Sequence, residues 1–526
     1  MSKVEELDEK MMEFFQYYSN YNKVLSDFLG WDISFLYGEE NDLVKISYPT
    51  SNFFIEDDTF EKASDKKMYI DTMINTLYEL KQKYPVFDPS LKYILIDKWV
   101  NNIFLNECEG LTNEIEKFLM AFKEDCINLC YKTYENTDIK LGIIGFFQET
   151  VYSVKETLEK NNLDFIEFDT PNTLSEVIKS KPTFKLIDGK SLSLVINDFE
   201  VIGLARKKKD SNSIRDIILE NNIELQNIKN ELYCKLIVKN MIEQAIDEDS
   251  SISKVGIDYD KIVDDINNLL EKSNKKKPNY FYVDVFNKGF DVYFSTGVIL
   301  AYNKGFWRVK NYNLLFEILI ENLLVEDLKR TIGMMVYEHK NGESVYKVIV
   351  ESINRFINYI KNLSQQNSGA LFVILENNKE IIESENGKIN MSLYENQLEF
   401  DQVYDIIPNE LIDKELLGKG TYNDIQKDSN LYKDILNIDK YLFYLISSLD
   451  GAVLLDSSFN ILSFGENIKT SELLASGTSD LQQASINGTR TYAAVAASKF
   501  GIAVKISEDG DIEVYREMDA EPLLRI

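Results

Sequence analysis

Gly501-Ile502-Ala503-Val504-Lys505-Ile506, then Ser507-Glu508-Asp509-Gly510-Asp511, then Ile512-Glu513-Val514-Tyr515 decide how the C-terminal third of the chain is read. Two runs rich in Val and Ile flank a polar segment that contains Asp-Gly, the pattern of two strands joined through a hairpin turn. Upstream, Thr491 to Phe500 is rich in alanine, the strongest helix former, and is expected as a helix. Further upstream, Gly369-Ala370-Leu371-Phe372-Val373-Ile374-Leu375 and Ala452-Val453-Leu454-Leu455 have the length and composition of buried strands. Asp456-Ser457-Ser458 supplies a turn, and Ile461 to Phe464 is expected to return as a partner strand.

Chemistry-bearing residues sit at the junctions of these elements. Gly488-Thr489 stands just before the expected helix, where backbone N–H groups are left unpaired. Those groups, the Thr489 hydroxyl and the Arg490 guanidinium make a set of donors suited to a phosphate. Asp450 begins a strand beside Gly451, a residue that admits close approach of a ligand. Glu508 stands at a strand end. Two carboxylates at strand ends can share a divalent ion with ATP phosphates. Each piece alone has a plainer reading as a turn, a helix cap with a surface ion pair, or a hairpin. They gain weight together.

Together they resemble the nucleotide-binding domain of diadenylate cyclases, the family that includes the DNA integrity scanning protein. That family carries an Asp-Gly-Ala motif, then Gly-Thr-Arg-His-Arg opening a helix, then a Ser-Glu-Glu-Thr-Gly-like turn. Here Asp450-Gly451-Ala452 matches the first motif, Gly488-Thr489-Arg490 the start of the second, and Ser507-Glu508 with Gly510 resembles the third. Gly369-Ala370-Leu371 followed by Val373-Ile374 resembles the first core strand, and the order agrees throughout. The resemblance covers roughly the last third of the chain and departs at Thr491 and Tyr492, where the family has His and Arg. Tyr supplies no positive charge and Thr none, so a bidentate phosphate donor is lost. The turn at Glu508 is one residue short, and Gly465 to Asn487 matches poorly.

The resemblance implies a mixed sheet flanked by helices. It also implies formation of cyclic di-AMP from two ATP, each 3′-hydroxyl attacking the other nucleotide's α-phosphorus. Asp450 would then bind Mg²⁺ or Mn²⁺ and help activate the hydroxyl, with Glu508 as the second metal carboxylate. Gly488, Thr489 and Arg490 would hold phosphates, while Gly451 and Ala452 complete the pocket. One recognisable copy per chain implies a homo-oligomer. The loss at Thr491 and Tyr492 keeps a second reading open, a non-enzymatic sensor of a nucleotide or cyclic dinucleotide.

The chain has 526 residues, more than one ordinary domain, and its composition is that of a globular protein, with 44% hydrophobic and 28% charged residues. The expected class is a multidomain α/β (mixed) protein: a mostly helical region over 1–165, an α+β sensor or regulatory region over 166–330, and the cyclase-like domain over 331–526. A formal net charge of -29 argues against a dominant nucleic-acid-binding surface, because phosphate backbones need a basic counter-surface. Cys126 and Cys130 lie one helical turn apart in an apolar pattern and are expected in the core. With sparse cysteines and no secretory start, the expected location is the cytoplasm. No apolar run is long enough for a membrane span. His339 is the only histidine and offers no multi-histidine metal site.

Along the chain, helices are expected over residues 1 to about 30, Met73–Leu80, Tyr93–Phe104, Leu111–Tyr134, Val154–Asn161, Tyr259–Leu270, Leu314–Leu328 and Val345–Leu363. Ile214–Ala245 is expected as a long helix broken once. Thr173 with Glu176 forms a capping box for a short helix, Leu174–Ile178. Strands are expected at Ile33–Tyr37, Leu43–Tyr48, Phe184–Ile187, Ser191–Ile196, Val201–Ala205 and Ile332–Tyr337. Ile139–Phe147 fits a strand or the start of a buried helix. A small meander is expected between Phe281 and Val309, and Trp307 is expected as a packing residue. Arg206-Lys207-Lys208-Lys209 reads as a solvated loop. Gly418-Lys419-Gly420-Thr421 lacks the spacing of a phosphate-binding P-loop.

Overall fold

The computed structural model describes residues 17–33, 35–37, 44–46, 66–107, 113–134, 137–179, 186–208, 212–248, 259–275, 280–295, 297–324, 345–375, 383–384, 388–389, 407–412, 435–436, 438–457, 459, 461–470 and 488–526. Among the sequence expectations, Ile332–Tyr337, His339 and Gly418–Thr421 lie outside them. The chain divides into two compact units, one of residues 1–47, 56–229 and 268–313, the other of residues 48–55, 230–267 and 314–526. It is a mixed α/β chain, helix-rich in its N-terminal part and with a mixed sheet flanked by helices at its C-terminal end.

The first unit is built on eight strands: β1 (Leu141–Phe146), β2 (Leu163–Asn172), β3 (Leu192–Asn197), β4 (Glu200–Lys207), β5 (Tyr280–Phe286), β6 (Gly289–Phe294), β7 (Ile299–Asn303) and β8 (Phe306–Lys310). Their order is β8-β7-β6-β5-β1-β3-β4-β2. β1 settles as a strand, fully buried and parallel to β3. The expected boundary at 165 falls inside this sheet, since β1 pairs with β3 on one side and β5 on the other. For the same reason the meander β5–β8 is no separate module. β2, which the sequence reading passed over, pairs with β4. Arg206 and Lys207 end β4 instead of forming a loop, with Arg206 3.0 Å from Asp164 on β2.

Helices α1 (residues 17–29), α2 (Lys66–Lys83), α3 (Leu91–Glu107) and α4 (Asn113–Cys130) precede the sheet. Buried rings join them to it: Phe104 of α3 and Phe122 of α4 pack against Phe281 at 5.9 and 6.4 Å between ring centroids. Cys126 and Cys130 are buried, as the apolar pattern of α4 requires. Helix α5 (Val151–Lys160) follows β1. The short helix α6 (Leu174–Ile178) carries the Thr173–Glu176 capping box read from the sequence. Residues 186 and 187, the described part of the strand expected at Phe184–Ile187, are not strand. Helix α7 (Ile214–Glu248) runs unbroken, and α8 (Tyr259–Lys275) follows. Trp307 packs edge-on against Phe290 and Tyr302.

In the second unit, helices α9 (Tyr312–Leu324) and α10 (Val345–Gln365) precede the sheet strands β9 (Ala370–Leu375), β10 (Ala452–Leu455), β11 (Ile461–Glu466), β12 (Gly501–Ile506), β13 (Ile512–Tyr515) and β14 (Leu524–Arg525). The order is β11-β10-β9-β12-β13-β14. The central strand β9 runs parallel to β10 and antiparallel to β12, with Phe372 opposite both Val453 and Val504. Alternation along β9 sends its side chains to two separate layers. Leu371, Val373 and Leu375 join a core with Ala494, Val495 and Ala497 of α12 (Thr489–Ala497). The small side chains on that helix allow it to lie close on the sheet. On the other face, Phe372 meets Phe356 of α10 and Phe443 of α11 (Lys440–Ser447).

Candidate functional site

Strand direction gathers the residues singled out above at one end of the second sheet. Asp450 and Gly451 precede β10, and Gly369 precedes the parallel strand β9. β11 and β12 run the opposite way, so Glu466 at the end of β11 and Ser507-Glu508 just after β12 arrive at the same end. Helix α12 starts there too, runs away from it, and β12 returns. The result is a cleft of about 700 Å³. All of the residues expected at a site line it: Asp450, Gly451 and Ala452 from the start of β10; Gly488, Thr489, Arg490, Thr491 and Tyr492 from the start of α12; and Glu508 from the β12–β13 turn.

The helix start is open. Gly488 is the N-cap with φ of 99°, a conformation that favours glycine, and no side chain caps the first turn. The first backbone bond of the helix is Tyr492 N–H to the Gly488 carbonyl, 3.2 Å. The earlier N–H groups carry the positive end of the helix dipole at the cleft. Arg490 is half-buried and, among the described residues, forms no ion pair or hydrogen bond. Its guanidinium lies over Gly369: a Cβ on that glycine would stand 2.2 Å from Arg490 Nη1 and 3.3 Å from Glu508 Cγ. Asp450 and Glu508 are both exposed, and neither has a partner among the described residues.

Gly451, besides lining the cleft, has a second part that its position in the sequence did not show. Its φ is 118°, and a Cβ there would meet the backbone of Gly465 at 2.5 Å. The close approach is that of the neighbouring strand β11, so the glycine lets Asp450 turn into β10 beside β11.

Two charged residues of the cleft escaped the sequence reading. Glu466 lies across from Ala452 in the β10–β11 pair, accepts a hydrogen bond from Ser463, and has its carboxyl pushed above the usual range by burial. Lys505 interrupts the apolar strand β12 on the face it shares with Ala503, which packs in the core beside α12. A lysine at a core-facing step of a strand was the signal available in the sequence. Its Nζ donates to Thr491 Oγ1 at 2.7 Å and to Glu513 at 2.6 Å.

Among the described residues, no three His, Cys, Asp or Glu side chains gather to hold a metal ion by themselves. Magnesium is commonly held by one or two carboxylates with substrate phosphates and water completing its shell. Asp450 and Glu508, exposed on one cleft, suit that smaller share. No protein-family model, curated protein or solved structure matches the chain. Among the described residues no helix is long and apolar enough to cross a membrane.

Proposed function

We propose that the C-terminal unit binds ATP through its phosphates and is a diadenylate cyclase-like nucleotidyltransferase. The observation that carries this reading is the convergence of Asp450, the open start of α12 with Arg490, and Glu508 on one cleft, although they are separated by long stretches of chain. The N–H groups of the first turn, the Thr489 hydroxyl and the Arg490 guanidinium are donors for phosphate oxygens. Asp450 and Glu508 would hold Mg²⁺ or Mn²⁺ with the nucleotide, and the ion would offset charge on the phosphates. In the reaction a 3′-oxygen bonds to the α-phosphorus of the second ATP, the bond to pyrophosphate breaks, and Asp450 accepts the hydroxyl proton. Arg490 stabilises charge as it develops on the phosphoryl oxygens. Two transfers release two pyrophosphates and close cyclic di-AMP. Each cleft holds one ATP on this account, so a homo-oligomer brings two clefts together. A cytoplasmic location is part of this reading; the described cysteines, Cys126, Cys130 and Cys234, are buried in the core.

A second reading has its own observation. Thr491 is buried and Tyr492 half-buried at the positions where the resembled family has His and Arg. A cleft without those cations suits a sensor that binds a nucleotide or cyclic dinucleotide without turnover. The deciding experiment is product analysis after incubation with ATP and Mg²⁺, and separately Mn²⁺, beside an Asp450→Asn control. Cyclic di-AMP from the parent alone is the expected result. ATP binding without any product, in folded and self-associated protein, would overturn catalysis in favour of the sensor.

A further inference from the structure

Lys505 is a partly buried cation in a cleft that the sequence motifs do not account for. Only 14% of its side chain is exposed, and that part faces the cleft. Its ammonium is held by two acceptors, Glu513 on the paired strand β13 at 2.6 Å and Thr491 Oγ1 on α12 at 2.7 Å. Lys505 and Glu513 are direct cross-strand partners, and Glu513 also accepts from the Tyr515 hydroxyl at 2.7 Å. Lysine has three donors, so one remains beyond these two.

The direction of the hydrogen bonds matters. Lysine can only donate, so Thr491 Oγ1 accepts from it, and the threonine's own proton is turned elsewhere. Thr491 lines the same cleft, one residue beyond Arg490 in the first turn of the helix. The hydroxyl is thereby set as a donor beside N–H groups that are donors already. Glu513 lies behind the lysine and offsets its charge when the cleft is empty, which lowers the cost of keeping a partly buried cation.

Resting on the nucleotide reading above, we propose that Lys505 and Thr491 form a second anion subsite in the cleft, beside the one at Arg490, and that it takes the distal phosphates of a nucleoside polyphosphate. Lys505 contributes the positive charge that the start of α12 lacks at positions 491 and 492, delivered from the strand instead of the helix. The substrate class is a nucleoside triphosphate in preference to a monophosphate, which offers a single phosphate to two subsites.

The test is titration calorimetry of the full chain with inorganic triphosphate and with ATP, comparing the parent with Lys505→Met/Glu513→Gln. The double variant removes both charges together and leaves no unpaired ion in the sheet, and its melting curve reports whether it folds. Losing one charge-assisted hydrogen bond weakens binding about ten- to hundredfold, and that drop is expected for both anions. Thr491→Val, close in shape, is expected to give a smaller loss of the same sign. Unchanged affinity in the folded double variant would overturn the subsite and leave the nucleotide reading standing. Lys505-dependent binding of triphosphate with no binding of ATP would uphold the subsite and remove the nucleotide reading. A parent that binds neither anion would overturn both.

Discussion

Gly369 and Gly451 border the same cleft, and a methyl group added to each would meet different things. At Gly369 the nearest atom is Arg490 Nη1, the end of a long side chain able to swing aside. Gly369→Ala is therefore expected to leave stability within about 1 kcal/mol of the parent while displacing the guanidinium, weakening ATP binding about tenfold. At Gly451 the obstacle is backbone, and φ is 118°, so a side chain is strained before any contact is counted. Gly451→Ala is expected to cost about 2–4 kcal/mol of folding stability. Urea denaturation and ATP titration of the two variants separate these effects. Equal loss of stability in both would count against the assignment of Gly369 to Arg490.

Among elements, the first sheet carries a charge problem of its own. Asp284 on β5 and Asp291 on β6 are direct cross-strand partners, an arrangement that like charges disfavour. Arg215 from α7 stands 2.9 Å from Asp284, and Lys310 from β8 stands 2.8 Å from Asp291. Burial outweighs Arg215 at Asp284, and Asp291 adds to it, so its carboxyl is pushed up from 3.8 to about 6. The folded state thus holds this proton over a range where the unfolded chain has released it. Its contribution favours folding at low pH and is lost as pH rises from near 3.8 to about 6. Asp284→Asn should remove that loss. Melting temperatures measured across this range should fall less steeply with rising pH in the variant. Parallel curves would show that Asp284 titrates as an ordinary carboxylate.

At the scale of the whole molecule, the cleft belongs to the second unit and the sequence carries one recognisable copy of its motifs, whereas the proposed product joins two nucleotides. Activity per chain should therefore rise with protein concentration until self-association is complete. Product assays over a dilution series, read beside sedimentation, check this. Constant activity per chain in a sample that sediments as a monomer would rule out the two-cleft arrangement. The same symmetry does not bind a sensor, which can fill its cleft in a single copy.

Local physics was legible without coordinates. The capping box at Thr173 and Glu176 and the strands of the C-terminal sheet other than β14 follow from short-range rules, as does the alanine-rich helix. Hydrogen-bond geometry and apolar spacing act over a few residues, which the sequence itself displays. The site motifs were legible as residue types in order. What only the tertiary structure decided depends on strand pairing at a distance. The expected boundary at 165 failed because β1 finds its partners in β3 and β5, and sequence proximity does not encode which strands pair. The need for glycine at 451 is explained by the close approach of β11, which only the pairing of β10 with β11 reveals. Lys505 gained its meaning only when antiparallel register set it against Glu513 and helix packing set it under Thr491. Direction and register bring Asp450, Arg490 and Glu508 to one end of one sheet, and these are settled by the burial of the whole core.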